Sequence, residues 1–306
     1  MTLEADLLID RRRLKRRLAL WRALAVLIAV AGAAAFAASR VADVALPGAA
    51  HLSRLTVEGF IGDDRKVIEA LDRVRKDASN RGVIVAIDSP GGSAGGGEAL
   101  HAALNRVRQA GKPVVAVLRG TAASAGYMTA VASDRIFARE GTVTGSIGVL
   151  LQSFDASELL ARIGVRPEVL ASGPLKAQPN PFQPLSPEGR EAMMRVISDL
   201  HDQFVAKVAA GRGLDEAAVH AVADGRVLTG RQALERRLVD AIGGEPEARA
   251  WLAAEKGVPE GLPVRDVKTR STAERLFGSV FQGLAKTLFS EWLGVDWRPT
   301  VWQLRP

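Results

Sequence analysis

A serine among small residues, a lysine in a proline-rich loop and a glycine pair after an apolar run are the residues of this chain whose types and spacing suit acyl transfer. The serine is Ser124, at the centre of Arg119-Gly-Thr-Ala-Ala-Ser-Ala-Gly-Tyr-Met-Thr-Ala130. It follows an apolar run, Pro113 to Leu118, and leads into small residues able to open a helix, so it stands where a strand hands over to a helix. Ala and Gly on both sides leave its oxygen approachable, and a helix N-terminus supplies free backbone N–H groups and the positive end of a dipole. The plain alternative is a small-residue helix packed tightly against a sheet.

A hydroxyl is a weak nucleophile without an adjacent base. Of the four histidines, His51 falls in a predicted linker and His101, His201 and His220 in predicted helices. Those are positions for packing or surface residues and argue against a Ser-His-Asp triad. The remaining base is Lys176 in Ala171-Ser-Gly-Pro-Leu-Lys-Ala-Gln-Pro-Asn-Pro-Phe182, preceded by Gly-Pro and followed by prolines that stiffen the loop. Most loop lysines are simply solvated. To accept a proton near neutral pH, this amine must titrate well below its ordinary value of about 10.4. Burial against apolar surface does that, at a cost of roughly 3–5 kcal/mol. The third component is a pair of backbone N–H groups for the oxyanion. Ser89-Pro-Gly-Gly92 reads as a glycine turn that permits close backbone approach, so Gly91 is one donor and Ala125, next to the nucleophile, the other. A tight turn without a ligand is the alternative reading there.

Other chemistries fare worse. No register of residues 88–100 gives G-x-G-x-x-G, and no Gly-Lys-Ser/Thr follows the glycines, which disfavours a nucleotide site. There is no H-E-x-x-H and no clustered His/Asp set, so neither a metal nor another cofactor is expected. The chain has no cysteine, which excludes thiol catalysis and disulfides.

The elements that must position these residues alternate in type. Leu52 to Ile61 reads as a strand, Arg65 to Asp77 as a helix, Gly82 to Ile87 as a strand buried on both faces, Glu98 to Gln109 as a helix and Pro113 to Leu118 as a strand. A strand at Arg135 to Ala138, a helix over Ala156 to Ile163, a strand near Val165 to Leu170 and a proline-rich loop follow. A long helix over 188–211 carries Met194, Ile197, Leu200, Phe204, Val205 and Val208 near one face, and shorter helices cover Leu214 to Ala223 and Thr229 to Arg237. This alternation implies an α/β fold with a largely parallel sheet. Residues 255–274 read as a polar loop, and Leu276 to Leu293 as an amphipathic helix for packing, subunit contact or a membrane surface.

With 306 residues and 47% hydrophobic content the chain can bury a sizeable core. Net charge is +7, but residues 1–22 hold seven Lys/Arg against three acids, leaving 34 basic and 31 acidic residues after them. Aromatics are 5% of the chain, too few to interleave with basic residues in a nucleic-acid surface. The cluster Arg11 to Arg17 precedes an apolar run from Ala19 to Ala38, broken only by Arg22. Twenty such residues cross a bilayer core of about 30 Å, and the basic cluster stays cytoplasmic, so the bulk of the chain is exported. A cleavable signal peptide, with Ala35-Phe-Ala37 as the cleavage pattern, is the rival to a retained anchor. The expected layout is a basic tail over 1–18, an anchor over 19–38, a linker over 39–51, a catalytic domain over 52–244 and a C-terminal extension over 245–306.

Five motifs in order, Asp88-Ser-Pro-Gly-Gly92, Ala122-Ala-Ser-Ala-Gly-Tyr127, Thr144-Gly-Ser-Ile-Gly-Val149, Ser172-Gly-Pro-Leu-Lys176 and Asp224-Gly-Arg-Val-Leu-Thr-Gly230 with Leu238-Val-Asp240, resemble the signal peptide peptidase A family of bacterial serine proteases. The resemblance covers about residues 53–244. It implies a Clp/crotonase-like fold of repeated ββα/βα units and a Ser-Lys dyad, with Ser124 as nucleophile and Lys176 as base, and Gly91 and Ala125 as oxyanion donors. It also implies a homo-oligomer anchored in the bacterial inner membrane, with the catalytic domain outside the cytoplasm, that degrades remnant signal peptides. Ala125 stands where family members often have Gly, and Met128 where they often have an aromatic. Two other readings compete: a membrane-anchored scaffold without catalysis on the same fold, and a crotonase-type acyl-CoA enzyme, which would have no need of export or of a Ser-Lys pair.

Overall fold

The computed structural model describes residues 18, 20–22, 24–28 and 30, and residues 48–267. The chain divides into two compact units, residues 1–49 and residues 50–306. In the first, the described residues between 18 and 30 are helical and exposed. Among the described residues no helix is long and apolar enough to cross a membrane. The rest of the expected anchor, the tail before it, most of the linker and the expected helix over 276–293 lie outside the described residues.

In the second unit the alternation read from the sequence becomes β1 (His51–Ile61), α1 (Arg65–Lys76), β2 (Asn80–Gly92), α2 (Ala94–Gln109), β3 (Val114–Ala123) and α3 (Ala125–Ala130). The chain continues as β4 (Arg135–Ala138), β5 (Val143–Gly145), α4 (Ser157–Arg162), α5 (Pro187–Arg212), α6 (Glu216–His220), β6 (Val227–Thr229), α7 (Gly230–Glu235), β7 (Ala241–Ile242), α8 (Glu245–Lys256) and β8 (Val264–Asp266). One sheet runs β6-β5-β3-β2-β1-β8, with β4 joined to β3 and β7. Every pairing is parallel except β5 with β6. This mixed α/β architecture with a mostly parallel sheet is the one expected.

Period-2 alternation explains the two-sided burial. Val83, Val85 and Ile87 pack with Leu55, Leu104 and Met128 on the face carrying α1, α2 and α3, while Ile84, Val115, Val117 and Phe137 pack against Ala248 and Leu252 of α8 on the other face. Helix starts are fixed locally. Asp64 caps α1, Ser93 caps α2, and Ser186 caps α5 ahead of Pro187 at its first turn. Gly213, at φ 59°, ends α5 in the left-handed conformation.

Four expectations need correction. Residues 165–170 are not a strand; they are exposed and join no strand of the sheet. Strand-like residues do not make a strand when no neighbouring edge is in reach. The glycines after Asp88 do not form a turn but continue β2, with Phe60 opposite Gly91 and Ile61 opposite Gly92, after an irregularity in β1 at Gly59. His51 is not in a linker but opens β1, where it is 4% exposed. The stretch read as a polar loop contains the end of α8 and all of β8, whose Leu52↔Val264 and Arg54↔Asp266 pairings extend the sheet beyond β1.

Candidate active site

Ser124 lies between β3 and α3 with φ 53° and ψ −121°. L-residues avoid this region, and a side chain held there marks a site whose surroundings enforce the strain. The Ser124 N–H donates to the Gly145 carbonyl at 2.9 Å, and the Ser124 carbonyl accepts from the Met128 N–H at 2.9 Å. Ser124 Oγ, by contrast, makes no helix-capping bond. The hydroxyl is therefore presented at the C-terminal end of the parallel strands, where open α/β sheets place their ligands.

Close backbone approach explains the glycines around it. A Cβ on Gly91, whose φ is +130°, would stand 2.9 Å from Ser124 Cβ and 3.3 Å from Oγ. A Cβ on Gly97 in α2 would stand 2.9 Å from Ala125 Cβ. The start of α3 is thereby pressed against the end of β2 and the first turn of α2. Gly91→Ala is expected to strain the backbone by about 1–3 kcal/mol and to displace the hydroxyl, lowering kcat by about 100-fold. Melting curves and steady-state kinetics on the same preparation check both effects.

Ala125 is the first residue of α3, so its N–H has no acceptor within the helix and is available to an oxyanion beside Ser124. Gly91 differs from expectation. Its N–H donates to Ser89 Oγ at 3.1 Å, and that hydroxyl donates in turn to the Gly59 carbonyl at 2.6 Å. The N–H read as exposed is thus engaged by a neighbouring side chain.

Lys176 occupies a short turn in which its N–H donates to the Gly173 carbonyl at 3.2 Å. Its side chain is exposed and, among the described residues, forms neither a hydrogen bond with Ser124 nor an ion pair. The single chain thus positions the serine beside the first N–H of α3 but leaves the Lys176 amine in solvent. The surrounding segment resembles it: ten large hydrophobic residues between 150 and 182 are exposed.

The histidines do not supply a base. His101 is held neutral by burial and by nearby Lys207 and Arg108, with its pKa lowered to about 4. His201 bonds the Ala223 carbonyl at 2.8 Å and stacks edge-on against His220. His51 pairs with Asp77 at 3.6 Å. Among the described residues no group of three His, Cys, Asp or Glu is placed to hold a metal ion.

The sequence reading missed what lies behind α3. Tyr127, fully buried, donates its hydroxyl to the Leu238 carbonyl at 2.7 Å. Asp240 accepts two hydrogen bonds from the Arg212 guanidinium, at 2.9 and 2.7 Å, and one from the Ile136 N–H at 2.7 Å. The available signal was a single tyrosine in the whole chain, set among small residues.

Comparison with known proteins places this chain among peptidases. The pattern of Peptidase family S49 matches residues 106–259. A protein of Synechocystis sp. named as a protease is 38% identical over 209 residues, covering 68% of this chain and 75% of its own length. An Enterococcus faecium protein named as signal peptide peptidase SppA is 31% identical over 255 residues, 79% of this chain and 72% of its own. The chloroplastic serine protease SPPA of Arabidopsis thaliana is 33% identical over 235 residues, 76% of this chain but 33% of that longer protein.

Proposed function

Because the chain belongs to peptidase family S49, a family of serine peptidases, we propose that it hydrolyses apolar peptides, remnant signal peptides among them, with Ser124 as nucleophile and Lys176 as general base. The observation that carries this reading is the strained backbone of Ser124, which presents an uncapped hydroxyl next to the first N–H of α3. The neutral Lys176 amine takes the Ser124 proton as Oγ attacks the peptide carbonyl carbon. The negative oxygen that forms is held by the Ala125 N–H and by the Gly91 N–H, which leaves Ser89 Oγ. The lysinium then protonates the leaving amine, and water hydrolyses the acyl-enzyme by the same route. Serine, amine and backbone donors suffice for each step.

Apolar substrates suit the surroundings. Phe60, opposite Gly91 in the sheet, is 75% exposed, one strand spacing of about 4.8 Å from the glycine. The basic cluster at 11–17 followed by the apolar run at 19–38 supports an inner-membrane anchor with the catalytic unit outside the cytoplasm. The exposed apolar segment around Lys176 supports a homo-oligomer in which a second copy covers it.

The solvated amine of the single chain favours one competing reading, a scaffold without catalysis. A fluorophosphonate probe separates the two. Covalent labelling of the full-length protein, lost in Ser124→Ala, is the expected result; a wild-type chain that stays unlabelled and cleaves no apolar peptide would leave the scaffold standing.

A further inference from the structure

Resting on the peptidase reading, we infer that Tyr127 is a positioning residue for the reaction: its buried hydroxyl ties α3 to the Leu238–Asp240 segment and so holds Ser124 in its strained, reactive conformation. Strain of this kind persists only where the surroundings over-determine it. At Ser124 the backbone restraints are two hydrogen bonds, one from Met128 within the first turn of α3 and one to Gly145 on the neighbouring strand β5. Tyr127 adds a second long-range restraint, on α3 itself and away from the sheet. It stands three residues after the nucleophile, on the face of α3 directed into the core, and its hydroxyl reaches the Leu238 carbonyl at 2.7 Å across 111 residues of sequence.

The acceptor is itself held. Leu238 and Val239 are buried, and Asp240, which follows them, is gripped by the Arg212 guanidinium through two hydrogen bonds. Arg212 Nε also donates to the Arg237 carbonyl at 2.9 Å, on the other side of Leu238. A second oxygen contact of Asp240, from the Ile136 N–H at 2.7 Å, fixes the segment to β4. The tyrosine therefore anchors the catalytic helix to a point braced from α5 and from the sheet. Burial pushes the phenol above its ordinary range, so it remains a donor throughout the working pH range of a peptidase. Its hydroxyl bonds Leu238 rather than Ser124 and acts through the helix.

The test compares full-length wild type, Tyr127→Phe, Asp240→Asn and Leu252→Ala at a temperature where circular dichroism finds each folded. Leu252 of α8 packs on the opposite face of the sheet, so Leu252→Ala lowers stability without touching α3. Fluorophosphonate labelling of Ser124 is expected to slow about 10- to 100-fold in Tyr127→Phe, with kcat falling and KM unchanged. Asp240→Asn is expected to fall between that variant and wild type, and Leu252→Ala to label at the wild-type rate despite a lower melting temperature. Labelling of Tyr127→Phe at the wild-type rate would overturn the inference, as would an equal slowing in Leu252→Ala, which would reduce the effect to stability. If Tyr127→Phe does not fold, Asp240→Asn decides alone, and a wild-type rate there overturns it. A wild-type chain that neither labels nor turns over peptide overturns the peptidase reading itself and is told apart by that control.

Discussion

Lys176→Ala is expected to lower kcat for an apolar peptide on the order of 10⁴-fold while leaving the melting temperature of the dispersed chain unchanged. The two halves of this expectation have separate causes. Stability is unaffected because the side chain is exposed and the turn that carries it is held by a backbone bond from the Lys176 N–H to Gly173, which alanine keeps. Activity is lost because no histidine can take its place: His101 of α2 is half-buried against α5, His201 and His220 are occupied with each other and with Ala223, and His51 pairs with Asp77. Lys176→Arg should fail equally, since a guanidinium does not give up its proton in a protein. The double variant with Ser124→Ala should lose no more than either single variant, as groups that act in one proton transfer are not additive. Steady-state rates for the four variants check the set; appreciable turnover by Lys176→Ala would remove the lysine from the mechanism.

The parts of this fold legible in the sequence are those whose burial is set within one chain. Residues 82–87 and 114–118 are continuous apolar runs because helices cover both faces of the parallel sheet, and both are strands. Ser124 was legible at the strand-to-helix junction for the same reason, since the strand before it and the small residues after it are both local signals. Its positive φ was not, because nothing in Ala-Ala-Ser-Ala-Gly demands it; the strain comes from Gly145 and from the packing of Gly91 and Gly97. The glycines after Asp88 read as a turn because Pro-Gly-Gly favours one, yet the irregularity at Gly59 lets β1 follow them and pair. The short strand β8 carries one arginine and one aspartate in three residues, and no periodicity test can find it. Tyr127 and Asp240 lie 113 residues apart, and their shared role exists only once α5 brings Arg212 between them.

Lys176 marks the opposite limit, and the segment around it makes the last prediction. Residues 150–182 expose Leu150, Phe154, Leu159, Ile163, Leu170 and Phe182 to water, Leu170 at 91%. The N-terminal half of α5 is similarly uncovered: Met194 and Val196 are exposed, whereas Phe204, Val205 and Val208 further along are buried. Exposed apolar residues in this number are costly in a monomer, and an interface with a second copy is the expected cover. If a second copy covers it, the same contact takes Lys176 out of water, which favours the neutral amine that the proton transfer requires. Catalysis then depends on assembly. Leu170→Asp is expected to leave each chain folded, to dissociate the assembly to single chains of 32.5 kDa and to reduce peptide turnover to the level of Lys176→Ala. Light scattering on the detergent-solubilised protein gives the mass, and turnover across a dilution series gives the coupling. Mixing Ser124→Ala chains with Lys176→Ala chains adds a sharper reading: recovered turnover means that a serine in one copy is served by the lysine of its neighbour. A wild-type protein that is monomeric and fully active would contradict the dependence on assembly.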